Sequence, residues 1–147
     1  MEMSSCHTNV GKFSSFPCDR FEQSSSNASL SVLVVDDEPV LRELVAFILL
    51  DKGFEVCEAE SGDAAYHMLS QRSFDVVVSD VRMPNGSGVD LLKRINDLIV
   101  KRPAVFLVSG YSEISLEEAK SLGARDLLSK PVDYDQLCLA ISRCATH

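Results

Sequence analysis

A chain of 147 residues, 46% hydrophobic and 24% charged, has the make-up of one ordinary soluble domain, which excludes a multidomain machine, wholesale disorder and a collagen-like or disulfide-scaffold class. The 14 Lys and Arg against 22 Asp and Glu leave a net charge of -8 with no basic cluster, so direct nucleic-acid binding is disfavoured. The five cysteines, at positions 6, 18, 57, 138 and 144, form no C-x-x-C pair, which argues for reduced thiols and a cytoplasmic protein.

Residues 1–30 carry Ser4, Ser5, Ser14, Ser15, Ser24, Ser25, Ser26 and Ser29 with few large aliphatics, too little apolar surface to offset ordering, and read as a disordered Ser-rich tail. The segment contains no signal-peptide core, and the longest apolar run, Leu44–Leu50, falls far short of the roughly 20 residues of a membrane span, so membrane insertion is not expected. From Ser31 onward, short β-branched runs alternate about five times with helical spacing, the rhythm of βα units. Strands are predicted at Val32–Val35, Phe54–Glu58, Val76–Ser79, Ala104–Val108 and Asp126–Ser129. Leu41, Leu44, Val45 and Ile48 mark one helix face, and Leu91, Leu92, Ile95, Leu98 and Ile99 another. Ser87 with Asp90, Ser115 with Glu118, and Asp133 with Gln136 have the N-cap to N3 spacing, Pro39 suits a first helical turn, and Gly53 and Gly123 suit helix ends. Cys57, Cys138 and Cys144 sit in apolar patterns as small core residues. Right-handed crossovers then give an α/β fold, a doubly wound parallel sheet of five strands.

In such a sheet ligands sit beyond the carboxyl ends of the strands, near the switch in strand order. The first predicted strand runs into Asp36-Asp37-Glu38, the third into Asp80, the fourth into Ser109-Gly110 and the fifth into Lys130-Pro131. Each has an ordinary explanation taken singly: an aspartate ahead of a helix, a loop starter, a turn serine, a surface lysine. Taken together they do not, because packed carboxylates repel and raise one another's pKa unless a cation compensates them. Oxygen-only ligation suits Mg2+ beside phosphate oxygens, and a lysine and a hydroxyl at the same spot suit an incoming phosphoryl group.

The succession Val34-Val35-Asp36-Asp37-Glu38-Pro39, Val78-Ser79-Asp80-Val81-Arg82-Met83-Pro84, Val108-Ser109-Gly110 and Ser129-Lys130-Pro131 resembles the receiver domain of two-component response regulators. The resemblance implies a receiver domain over 31–147 with the (βα)5 flavodoxin-like topology of CheY-like proteins, strand order 2-1-3-4-5. It implies that Asp80 is the phosphoacceptor, and that Asp36, Asp37, Asp80 and the backbone carbonyl of Arg82 surround Mg2+, Asp36 through water. Ser109 matches the hydroxyl switch and Lys130 the lysine that pairs with the phosphoryl group, while the Lys130-Pro131 bond resembles one that the family keeps cis. At the usual aromatic switch position stands Leu127, which has no hydroxyl or ring edge to present for the family's coupled readout. Arg82 and Tyr111 occupy the positions that tune dephosphorylation; their bulk points to a long-lived phosphorylated state, with plain surface placement the alternative.

The implied function is a single-domain response regulator that takes a phosphoryl group from a sensor histidine kinase or a histidine phosphotransfer protein. Its readout would be a downstream protein target or phosphorelay, with a homodimer through the fourth and fifth helices also open. A haloacid-dehalogenase-type phosphohydrolase would need D-x-D after the first strand, which Asp36-Asp37-Glu38 does not supply. A phosphorylation-independent binding module would show a lost acid or lysine, and none is lost. Asn85-Gly86-Ser87-Gly88 lacks the spacing of a nucleotide cradle, and Leu107-Val108-Ser109-Gly110 fails the nucleophile-elbow pattern.

Overall fold

A computed structural model of the chain describes residues 6–7, 29–84, 86–98, 101–110 and 114–146. Strands form on the short apolar runs: β2 (Ser31–Val35), β3 (Glu55–Ala59), β4 (Val76–Asp80), β5 (Ala104–Ser109) and β6 (Asp126–Ser129), with valines densest in β2 and β4; the two-residue β1 (Cys6–His7) precedes them. Strands β2 to β6 are parallel in the order β3-β2-β4-β5-β6, which is the order 2-1-3-4-5 expected of the five predicted strands. The helices α1 (Pro39–Asp51), α2 (Gly62–Gln71), α3 (Gly88–Asn96), α4 (Leu116–Ser121) and α5 (Tyr134–Arg143) alternate with them.

Because side chains alternate across a strand, one set of residues faces each helical layer. Val32, Val34, Val78 and Phe106 pack with Ala46 and Leu49 of α1 and Leu137 and Ile141 of α5. Leu33, Val77 and Leu107 pack with Leu69 of α2, Leu91 of α3 and Ala119 of α4. The cap residues act as their spacing predicts: Ser87, Ser115 and Asp133 accept from the backbone N–H of Asp90, Glu118 and Gln136. Among the described residues no helix is long and apolar enough to cross a membrane.

Within the segment read as a tail, Cys6 and His7 pair antiparallel with β3, Cys6 opposite Cys57; residues 1–5 and 8–28 lie outside the described ones. Three other expectations are corrected. Cys57 is buried as expected but disulfide-bonded, its partner sulfur outside the described side chains, whereas Cys138 and Cys144 are free. An odd cysteine count without C-x-x-C excludes a framework, not a single bridge. On α1, Leu44 is 44% exposed, with Val40 and Phe47 exposed further, while Ala46 and Leu49 are buried. A helix apolar nearly all round does not define its inner face by spacing. Helix α3 also ends at Asn96, leaving Leu98 beyond it and half-buried; Ile99 lies outside the described residues.

Candidate functional site

The strand order reverses between β3 and β4 on either side of β2, so a crevice opens beyond the ends of β2 and β4. Asp36 follows β2 directly. Its N–H donates to the Ala59 carbonyl at 3.2 Å, and its Oδ1 accepts from the Glu38 N–H at 2.9 Å. Asp37 comes next and is exposed. Asp80 is the last residue of β4 and is 8% exposed. Helix α3 reaches this strand end closely enough that a Cβ on Gly88 would collide with the Asp80 carbonyl; the Gly88 N–H meanwhile donates to Val81 O at 2.9 Å.

Asp36, Asp37 and Asp80 each offer a carboxylate oxygen to a cluster whose atoms all lie within 4.8 Å of one another. Lys130 Nζ stands 3.3 Å from Asp80 Oδ1 and 3.4 Å from Oδ2. The Lys130 N–H donates to Ser109 O at 3.0 Å, so the register of β5 and β6 places both residues. Ser109 ends β5 and is buried. Beneath the carboxylates lies a cavity of about 210 Å³, walled by Val34, Val78, Val108 and Leu137.

That apolar wall explains the electrostatics. Burial pushes the Asp80 carboxyl above its ordinary range, and the Lys130 ammonium does not cancel the effect. Its contact is longer than the ~2.7–2.9 Å of a tight charge-assisted bond. Asp36 is raised as well, by burial first, with the hydrogen bond from Glu38 opposing. Among the described residues, three carboxylates gather beside the Lys130 ammonium and present a cluster of oxygen donors. A hard divalent cation fits that donor set; a thiophilic metal does not.

The remaining predicted residues are more dispersed. Arg82 is exposed on the loop after β4. Leu127, in β6 opposite Leu107, is half-buried against the core on the α2 side. The Lys130-Pro131 bond is cis. Tyr111 lies outside the described residues. Arg42 and Glu58, outside the predicted site, form a largely buried ion pair at 3.0 Å beside Asp36. Their signal in the sequence was a charged residue, Glu58, inside the apolar run of β3.

The model of the response regulator receiver domain family matches residues 32–142. Transcriptional regulatory protein CrdR of Helicobacter pylori is 35% identical over 113 residues, 76% of this chain and 53% of that protein. Transcriptional regulatory protein FixJ of Rhizobium meliloti is 34% identical over 118 residues, 80% of this chain and 57% of that one. The chain thus spans about half the length of these curated relatives. The solved structure of the chemotaxis response regulator CheY4 of Vibrio cholerae aligns with a TM-score of 0.71 at 30% identity, covering 80% of this chain and 99% of that one. With an acidic pocket at the switch point of a CheY-like sheet and a family match over most of its length, the chain belongs to the response regulator receiver domains of two-component systems.

Proposed function

We propose that Asp80 accepts a phosphoryl group and that this modification switches the domain between two states. The observation that carries the reading is the cluster of Asp36, Asp37 and Asp80 within 4.8 Å, with Lys130 at 3.3 Å from the buried Asp80. Asp36, Asp37, Asp80 and the backbone carbonyl of Arg82 are the groups that would hold Mg2+, which when bound supplies positive charge to the phosphoryl oxygens. A carboxylate oxygen of Asp80 attacks phosphorus; the new O–P bond forms as the bond to the donor breaks, and its electron pair leaves with the donor's imidazole nitrogen or acetate oxygen. Lys130 pairs with the transferred group, and the Ser109 hydroxyl donates to it.

The donor is a sensor histidine kinase or histidine phosphotransfer protein, and the readout a protein partner or onward phosphorelay. Leu127, packed among core residues, supplies no aromatic ring for that readout, and Arg82 with Tyr111 slows phosphoryl loss. The receiver unit is taken as 31–147, in a cytoplasmic setting where phosphodonors are made; the Cys57 disulfide is the observation opposed to a reducing compartment.

Incubation with Mg2+ and acetyl phosphate, read by intact mass, tests the proposal. The expected result is gain of one hydroxylamine-labile phosphoryl group, absent in Asp80→Asn and without Mg2+. An unchanged mass with acetyl phosphate and with a kinase overturns it, and sustained turnover of phosphate esters without build-up points to a phosphohydrolase.

A further inference from the structure

We propose that Arg42 is a positioning residue for the acidic loop: it fixes the Asp36–Asp37 peptide, and Glu58 holds Arg42 in place to do so. The inference rests on the Mg2+ reading above. Arg42 Nε donates to Glu58 Oε1 at 3.0 Å, and its NH1 donates to the Asp36 carbonyl at 2.9 Å. The Asp36 carbonyl belongs to the planar peptide that leads into Asp37, so anchoring that oxygen sets the direction in which the Asp37 Cα and its side chain leave. The Asp36 N–H is held by Ala59 O, and Asp36 Oδ1 by the Glu38 N–H. The loop is therefore pinned from β3, from α1 and from within, and Arg42 supplies the α1 anchor.

Stability alone does not account for the pair. The side chains are only 15% and 6% exposed, and an apolar pair of similar volume often holds such a contact as well as two desolvated charges. Nor does Arg42 act as the countercharge of the pocket, since Glu58 neutralises it; the cation that bears on Asp36 is Lys130. Its planar fork is what the site uses: one guanidinium takes the carboxylate with Nε and the carbonyl with NH1, a division that a lysine ammonium does not reproduce. Partners that orient metal ligands typically account for about 10–100-fold in metal affinity.

The test uses the full chain, with MgCl2 titrated calorimetrically and Tm recorded in EDTA, for wild type, Arg42→Lys and the double variant Arg42→Met with Glu58→Leu. Both variants should bind Mg2+ about tenfold or more weakly, and the double variant should melt no lower than wild type. Wild-type affinity in either variant overturns the inference, as does a double variant whose weakened binding comes with a lowered Tm, because the pair is then structural. Should the double variant not fold, Arg42→Lys, which keeps a cation on Glu58, decides by affinity alone. If the wild type takes up no Mg2+, the proposed function fails and this inference falls with it; uptake that the substitutions leave unchanged refutes the inference and spares the function.

Discussion

Asp80 carries a conflict that the rest of the fold has to contain: a carboxylate 8% exposed, over an apolar cavity, within reach of two other carboxylates. Burial raises its pKa above 3.8 in the folded chain, so the folded state holds the proton to higher pH than the unfolded state. Stability of the metal-free protein therefore falls as pH rises from about 3.8 through the raised folded value, and the full penalty is present above it. Asp36, raised for the same first reason, adds to it. Asp80→Asn removes the charge at nearly constant shape. In EDTA at pH 7 this variant is expected to be more stable, because it sheds the burial penalty on the charge, which outweighs the lost pairing with Lys130; each kcal/mol gained reads as roughly 4 °C in Tm. The gain should vanish near pH 3.8 and below. Melting curves across pH check this, and an Asp80→Asn protein less stable than wild type at pH 7 contradicts it.

Elements bring the site together by close approach, which makes their glycines unequal. Gly88 starts α3 where a Cβ would strike the Asp80 carbonyl and lie 3.1 Å from Ser79 Oγ, so Gly88→Ala has to push α3 off the end of β4. Overpacking of this kind costs about 1–3 kcal/mol, and because the displaced carbonyl belongs to Asp80, phosphorylation by acetyl phosphate should slow as well. Gly53, after α1, has φ 97° and nothing within 4 Å of a Cβ. Gly53→Ala should cost about 1–2 kcal/mol of left-handed strain and leave the phosphorylation rate alone. Urea unfolding and mass-resolved phosphorylation time courses on both variants separate the cases. The caps are simpler: Ser61 accepts from the Ala64 N–H at 3.0 Å, and Ser61→Ala should cost about 1 kcal/mol by urea unfolding, with no change at the pocket. The caps at Ser87, Ser115 and Asp133 were legible because an acid or amide three residues on completes the pattern. Ser61 was not, because Ala64 follows it at that spacing.

Across the whole molecule, what was legible in the sequence is what depends on chain-local order. Strand ends follow from period and composition, and a doubly wound topology then carries Asp36, Asp80, Ser109 and Lys130 to one edge of the sheet. What was illegible depends on tertiary register: Arg42 meets Glu58 across 16 positions, Cys57 finds a sulfur outside its own element, and α1 turns Leu44 outward although its spacing matched the inner face. On the proposed Mg2+ reading, uptake is a property of the fold, since the unfolded chain has no reason to bring Asp80 to Asp36 and Asp37. Mg2+ should therefore stabilise the native state by RT ln(1 + [Mg2+]/Kd), about 2.7 kcal/mol at a hundred times Kd, and should erase the advantage of Asp80→Asn over wild type. Asp37 is exposed, so Asp37→Ala should leave the fold in EDTA near wild type while abolishing most of the Mg2+-dependent rise. Thermal melts over an MgCl2 series at fixed ionic strength, with Ca2+ as the size control, read the effect directly. A wild-type Tm that does not move, or an Asp37→Ala protein whose Tm rises in parallel with it, would place the cation somewhere other than this pocket.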